Sequence, residues 1–142
     1  MENIKKLEEL TNTLIRVEEN LKEEYKILEF LLEYSLDGYW DWKMSSDYEY
    51  LSPKLKQQLG YTDDEMENKP ESWQKICNQD DLITVYNIVG KCINGEHDEF
   101  SQILRFTHKN GNEIQILCRG IVVSRDENGI AERMVGTHRI II

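Results

Sequence analysis

The chain reads as an α+β protein: one five-stranded antiparallel sheet with short helices on one face, preceded by a long N-terminal helix. Three observations predict it. Residues 2 to about 34 contain no Gly or Pro and repeat Leu every seven positions, the middle of the chain carries helix caps, and the last third alternates strand-like runs with Asn-Gly turns. Helices grouped between two blocks of strands, instead of alternating with single strands, argue against a parallel sheet. The 142 residues leave room for one domain plus an extra element and for no second core of comparable size. The division expected is a helix over 1–32 and a folded domain over 33–142.

In the helix, Leu7, Leu14, Leu21 and Leu28 share one heptad position, and Leu10, Val17, Glu24 and Leu31 share the position three residues later. Such a helix is roughly 45 Å long at 1.5 Å per residue, too long to lie along its whole length on so small a domain. Its apolar stripe predicts a homodimer through residues 4–31, with Leu7, Leu10, Leu14, Val17, Leu21, Leu28 and Leu31 at the interface. The alternative is a single amphipathic helix folded back on the domain. In its favour, Glu24 interrupts one row and Thr11 and Thr13 stand where a coiled coil would place paired charges.

The stretch "GYWDWKMSSDYEYLS" gathers Tyr39, Trp40, Trp42, Tyr48 and Tyr50. With period two, Trp40, Trp42 and Met44 share one face and Tyr39, Asp41 and Lys43 the other, so both tryptophans are expected to be buried and Asp41 not. The polar turn "SSD" leads to a second strand ending at Leu51. Next, "SPKLKQQLG" offers Ser52 as N-cap, Pro53 at the first helical position and Gly60 for a left-handed close. An acidic loop and "PESWQKIC" follow. In "NQDDLITVYNIVGKCING", Asn78 caps with Asp81 three residues on, Leu82, Val85, Tyr86, Val89 and Ile93 fall on one face, and Asn-Gly ends the helix. The runs "EFSQILRFTH", "EIQILCRGIVVSR" and "IAERMVGTHRIII", separated by "KNGN" and "DENG", read as three consecutive antiparallel strands. Residues 114–123 are apolar on both parities, which predicts a central strand covered on both sides.

A net charge of -10 and a pI near 4.8 argue against a nucleic-acid partner or an anionic membrane surface, both of which need clustered Lys and Arg. No apolar run approaches a membrane span, and "MENIKKLEEL" has acidic residues where a signal peptide has its apolar core, so a cytoplasmic protein is expected. Cys77, Cys92 and Cys118 include no Cys-x-x-Cys and no nearby His pair, which predicts buried free thiols and neither a disulfide framework nor a zinc site.

The order of elements and four local strings resemble the PAS sensor domain, in particular the bacterial type in which a PAS block is followed by a PAC block. The resemblance covers about residues 33–139. "DGYWDWK" is similar to the first strand's Asp-Gly-x-Trp-Asp pattern, and "YLSPKLKQQLGYTDDEM" to the strand-to-helix segment with its Leu-Gly-Tyr-x-x-x-Glu stretch. "RFTHKNGNEIQILCRG" and "RDENGIAERMVGTHR" resemble the later hairpin and the closing Val-Gly-Thr segment. Departures stand beside these. Cys77, Asn78, Gln79 and Asp80 occupy the place of His-Pro-x-Asp, Ser52 that of an Asn, and Ile140, Ile141 and Ile142 that of a closing Asp-Ile-Thr. Ile103 replaces a Glu that partners the hairpin Arg, here Arg105.

The resemblance implies a sensory or regulatory module, normally controlling a downstream output domain such as a histidine kinase or diguanylate cyclase in the parent protein. It implies no enzyme activity of its own. No cofactor is expected either: the Gly-x-Asn-Cys-Arg-Phe-Leu-Gln string of flavin-adduct domains is missing, and residues 80–94 hold no His to ligate a haem. His97 and His108 fall in or beside turns, and His138 lies on the last strand with its face undetermined. Asp80 with Asp81, and Asp63 with Asp64 and Glu65, read as charges favouring helix starts, not as catalytic pairs. Trp42, Tyr86, Gln102, Leu104 and Cys118 are the candidate ligand-binding residues, on the concave sheet face opposite the Tyr86 helix. That composition suits a small-molecule cavity or a filled core with one hydrogen-bonded Gln. A free-standing interaction domain with a filled core and a cofactor-dependent redox or light sensor are the other functions considered.

Overall fold

The computed structural model describes residues 1–46 and 48–141. Asp47, the last residue of the "SSD" turn, and Ile142, the last residue at the closing Asp-Ile-Thr position, lie outside the described residues. Along the chain come α1 (Glu2–Tyr34), β1 (Gly38–Lys43), β2 (Tyr48–Leu51), α2 (Pro53–Gln58), a 3-10 turn (Asp63–Glu65), α3 (Pro70–Gln74), α4 (Gln79–Ile93), β3 (Glu99–Thr107), β4 (Glu113–Arg125) and β5 (Ala131–Ile141). The five strands form one antiparallel sheet in the order β2-β1-β5-β4-β3. The α+β architecture is therefore the one expected. The chain divides into two compact units, Met1–Ser35 and Leu36–Ile142.

The first unit is α1. At 33 residues it is about 50 Å long, and none of its residues is buried. Leu7, Leu14 and Leu21 are 62%, 68% and 63% exposed. The Thr11 and Thr13 hydroxyls donate to the Leu7 and Glu9 carbonyls at 2.8 and 2.9 Å, so both are satisfied one turn back within the helix.

In the second unit the caps form as the residue types dictate. The Ser52 hydroxyl accepts from Leu55 N at 3.2 Å and from Tyr39 N at 2.9 Å, which ties the start of α2 to β1. The Asn78 side chain accepts from the Asp80 and Asp81 amides at 3.0 and 3.2 Å. Thr62 and Glu65 make a reciprocal capping box, so the acidic stretch holds a helical turn and is not all loop. Gly111 and Gly129 take φ of +92° and +81° in the two hairpin turns.

Two expectations change. β4 is covered on one face only: Ile116, Cys118 and Gly120 are buried, while Ile121 and Val123 are 49% and 50% exposed. An antiparallel sheet needs only one buried face, and its other face tolerates apolar residues in contact with solvent. On β1 the burial contrast also shifts. Trp40 is 6% exposed, but Trp42 is half-buried like Asp41, whose carboxylate is held by the Arg133 guanidinium across the β1–β5 pairing.

Arg105 on β3 has a partner despite Ile103. Its Nε and Nη2 donate to the two Asp81 carboxylate oxygens at 2.9 and 2.8 Å, and its backbone N–H donates to the same carboxylate at 2.7 Å. The guanidinium holds the Asp81 carboxyl below its usual range. This clamp joins the N-terminus of α4 to the edge strand. Asp81→Ala is expected to lower the thermal unfolding midpoint clearly more than Asp80→Ala, because the exposed Asp80 shares the helix terminus but not the clamp. Equal shifts from the two variants would mean that only the helix dipole matters.

Candidate functional site

A cavity of about 80 Å³ lies among residues of the inner sheet face, α3 and α4. All three tryptophans of the chain line it: Trp40 and Trp42 from β1 and Trp73 from α3. Trp40 forms part of its floor. The indole lies over Gly136, its register partner on β5, and over Gly120, the next partner on β4. A Cβ at either glycine would run into the ring, so these two glycines are what allow an indole to lie on the sheet. Phe100 stacks beside it at 6.2 Å between ring centres.

Four of the five residues proposed from sequence reach this cavity: Trp42, Tyr86, Leu104 and Cys118. Trp42 is half-buried and Tyr86 is 49% exposed, so they stand at its rim instead of inside the core. Gln102 does not line it. It sits half-buried on the edge strand β3, its amide nearest the Ile103 carbonyl at 3.5 Å, and is not the hydrogen-bonded core Gln expected. Sequence reasoning missed Glu49, Trp73 and His138. Glu49 shares strand parity with the buried Leu51, a signal that was present but outweighed by its charge.

Glu49 is 5% exposed, and the Trp73 indole donates to its Oε1 at 3.0 Å. Burial pushes its pKa up to about 7 against the opposing Trp73 hydrogen bond, with a further small push from the Glu71 charge. His138 faces inward, 5% exposed, and burial holds its pKa down to about 4. Burial also pushes the Cys118 thiol up to about 12. A thiol kept protonated is a poor nucleophile, and a neutral imidazole without an orienting carboxylate is not a general base of the triad kind. Two buried polar atoms of the lining residues, Trp40 Nε1 and His138 Nδ1, have no hydrogen-bond partner among the described residues. The Trp40 N–H faces the Cys118 sulfur, a weak acceptor, outside hydrogen-bonding geometry. The arrangement is an apolar pocket with a few polar groups and a carboxyl balanced near neutrality.

No curated protein matches the chain. Among solved structures, it is similar to a sensory box histidine kinase/response regulator from Burkholderia thailandensis E264, with 24% identity, 80% of this chain and 83% of that one covered, and a TM-score of 0.67. It is also similar to the N-terminal domain of a diguanylate cyclase with PAS/PAC sensor from Marinobacter aquaeolei, with 22% identity, coverage of 73% and 94%, and a TM-score of 0.62. The PAS domain of a protein from Colwellia psychrerythraea has 16% identity, coverage of 85% and 96%, and a TM-score of 0.63. The family model described as the PAS fold matches residues 48–138, more than half of the chain and all of the sheet except β1 and the end of β5. With that match and a five-stranded sheet carrying its helices on one face, the chain belongs to the PAS fold family.

Proposed function

We propose that this PAS domain is a sensory module of a signal-transduction protein, binding a small molecule in the Trp-lined cavity and controlling an output domain of the histidine kinase or diguanylate cyclase type. The observation that carries the reading is the cavity itself, whose wall is mostly aromatic and aliphatic with the Glu49 carboxyl and the His138 imidazole among its lining residues, a composition suited to a small ligand. The kinase and cyclase origin of two structural neighbours supports the choice of output. Its role is regulatory, without catalysis and without haem or flavin.

The second part of the reading is assembly. The heptad rows of α1 are exposed along its length, and a parallel pairing of two copies would cover them. Ligand-driven change in the domain would then appear as a shift in the packing or register of that coil. Light scattering should give a dimer for the full chain and a monomer for the double variant Leu14→Asp, Leu21→Asp, with the far-ultraviolet signature of the sheet retained. A monomeric full chain would end the coiled-coil reading, and a dimeric variant of undiminished affinity would place the interface elsewhere.

A further inference from the structure

Resting on the reading of this cavity as the sensory site, we propose that its ligand is a small aliphatic ammonium ion, of methylammonium to dimethylammonium size, paired with the Glu49 carboxylate inside the aromatic wall.

Size sets the first limit. A cavity of about 80 Å³ is roughly half the 150 Å³ that accommodates the six carbons of benzene, which leaves room for about two or three heavy atoms. Charge sets the second. Glu49, 5% exposed, is the acidic residue of the wall, and no Lys or Arg stands there among the described residues. An anion would meet a carboxyl with no compensating cation, whereas a cation would supply the counter-charge that a buried carboxylate otherwise lacks. The surroundings push the same way, because the neighbouring Glu71 adds negative charge and His138 is held neutral by its burial. The Trp73 indole donates to Glu49 Oε1 at 3.0 Å, which fixes the carboxyl without neutralising it and leaves Oε2 to accept from an ammonium N–H. The third limit is the kind of cation. Trp40, Trp42, Trp73, Tyr86 and Phe100 share the wall, and an ammonium in so small a space lies against aromatic rings, which attract cations. A bare Ca²⁺ or Mg²⁺ wants about six oxygen ligands, and among the described residues no group of three His, Cys, Asp or Glu is placed to hold a metal ion.

Methylammonium is the probe, with methanol and formate as its neutral and anionic counterparts and potassium as a cation without the carbon, each titrated into the full chain at constant ionic strength and pH 8. The readout is the three indole N–H resonances in a ¹H–¹⁵N spectrum, assigned by Trp→Phe variants. Trp73 reports most directly, since its N–H donates to Glu49. Methylammonium should move the Trp73 resonance saturably, and methanol, formate and potassium should leave it in place at the same concentrations. Glu49→Gln keeps the size and an acceptor for Trp73 but removes the charge, and should weaken methylammonium binding about tenfold or more, the worth of a charge-assisted hydrogen bond. Wild-type affinity should also rise about tenfold from pH 6 to pH 8 as Glu49 ionises. The other titratable groups around it are Glu71 on α3, Tyr86 on α4, Cys118 on β4 and His138 on β5, of which Cys118 and His138 stay uncharged over that range. If the Gln variant does not fold, the wild-type pH profile decides the same point. Undiminished affinity in a folded Glu49→Gln, or a level pH profile, would overturn the pairing with Glu49 and the proposal with it. Equal binding of methanol or formate would overturn the ligand class while leaving the site standing, and an equal response to potassium would reduce the effect to nonspecific screening and overturn the proposal. If no probe moves any indole resonance, the sensory-site reading falls together with the ligand class.

Discussion

Trp40→Ala should lower the unfolding free energy by about 3–5 kcal/mol in denaturant titration, the range for deleting a large buried aromatic. Trp42→Ala should cost about 1–2 kcal/mol, since a half-buried side chain gives up less area and leaves a smaller void. Strand parity alone treats the two indoles alike, and the glycines explain why the structure assigns the larger cost to Trp40. Gly120 and Gly136 lie side by side on β4 and β5, and the Trp40 ring occupies the space that their side chains would fill. The two positions differ in what a methyl group would meet. At Gly120 the obstacles are ring atoms of Phe100 and Trp40, whereas at Gly136 they include the Arg119 backbone carbonyl. Gly120→Ala should therefore be destabilising by itself and partly rescued when Trp40 is also Ala, giving a favourable coupling of about 0.5–3 kcal/mol in a double-mutant cycle. Gly136→Ala should show much less rescue, because removing the ring leaves the carbonyl clash in place. No coupling at Gly120 would show that the indole does not lie over the sheet as described, and equal coupling at the two glycines would show that the Arg119 carbonyl gives way.

Most of the fold was legible because its elements are marked by local chemistry. Ser52, Asn78 and the Asn-Gly turns act through backbone groups within a few residues, and they do in the structure what their types require. The candidate site was legible in part. Leu104 and Cys118 follow from period-two patterning on strands, and Trp42 and Tyr86 reach the cavity rim. Gln102 was misplaced because parity says which face a side chain shares and not how far the cover extends over an edge strand. Glu49 and His138 escaped for the opposite reason. Charge makes Glu49 read as solvent-facing, the sequence leaves the face of His138 undetermined, and only the packing of the folded domain shows that both are buried. The Arg105 clamp was invisible for want of a local rule, since Asp81 lies 24 residues away and looks like an ordinary helix-start acid.

Those two buried groups should oppose one another in the pH dependence of stability. Between its ordinary value of 4.5 and about 7, Glu49 holds a proton in the folded protein that the unfolded chain has released, so its contribution to stability falls as pH rises. Between about 4 and 6.5, the unfolded chain carries a proton on His138 that the folded protein excludes, so this contribution rises with pH. Each amounts to about 3 kcal/mol over its window, and where the windows overlap the slopes cancel. The wild-type profile should thus show little net slope from these two groups between pH 4.5 and 6.5, and single substitutions should uncover each half. Relative to wild type, Glu49→Gln should gain stability progressively from about pH 4.5 and be favoured by about 3 kcal/mol above pH 7, less whatever the Trp73 contact loses. His138→Gln should show its relative gain on the acid side, growing as pH falls from 6.5 towards 4. Comparing each variant with wild type removes the background of the other carboxylates, including Asp81, whose lowered pKa gives stability that is lost on acidification in all three proteins alike. Denaturant titrations at half-unit pH steps measure the two difference curves, and if both are level from pH 4 to 8, then neither side chain is held in the dry surroundings from which the cavity's chemistry has been argued.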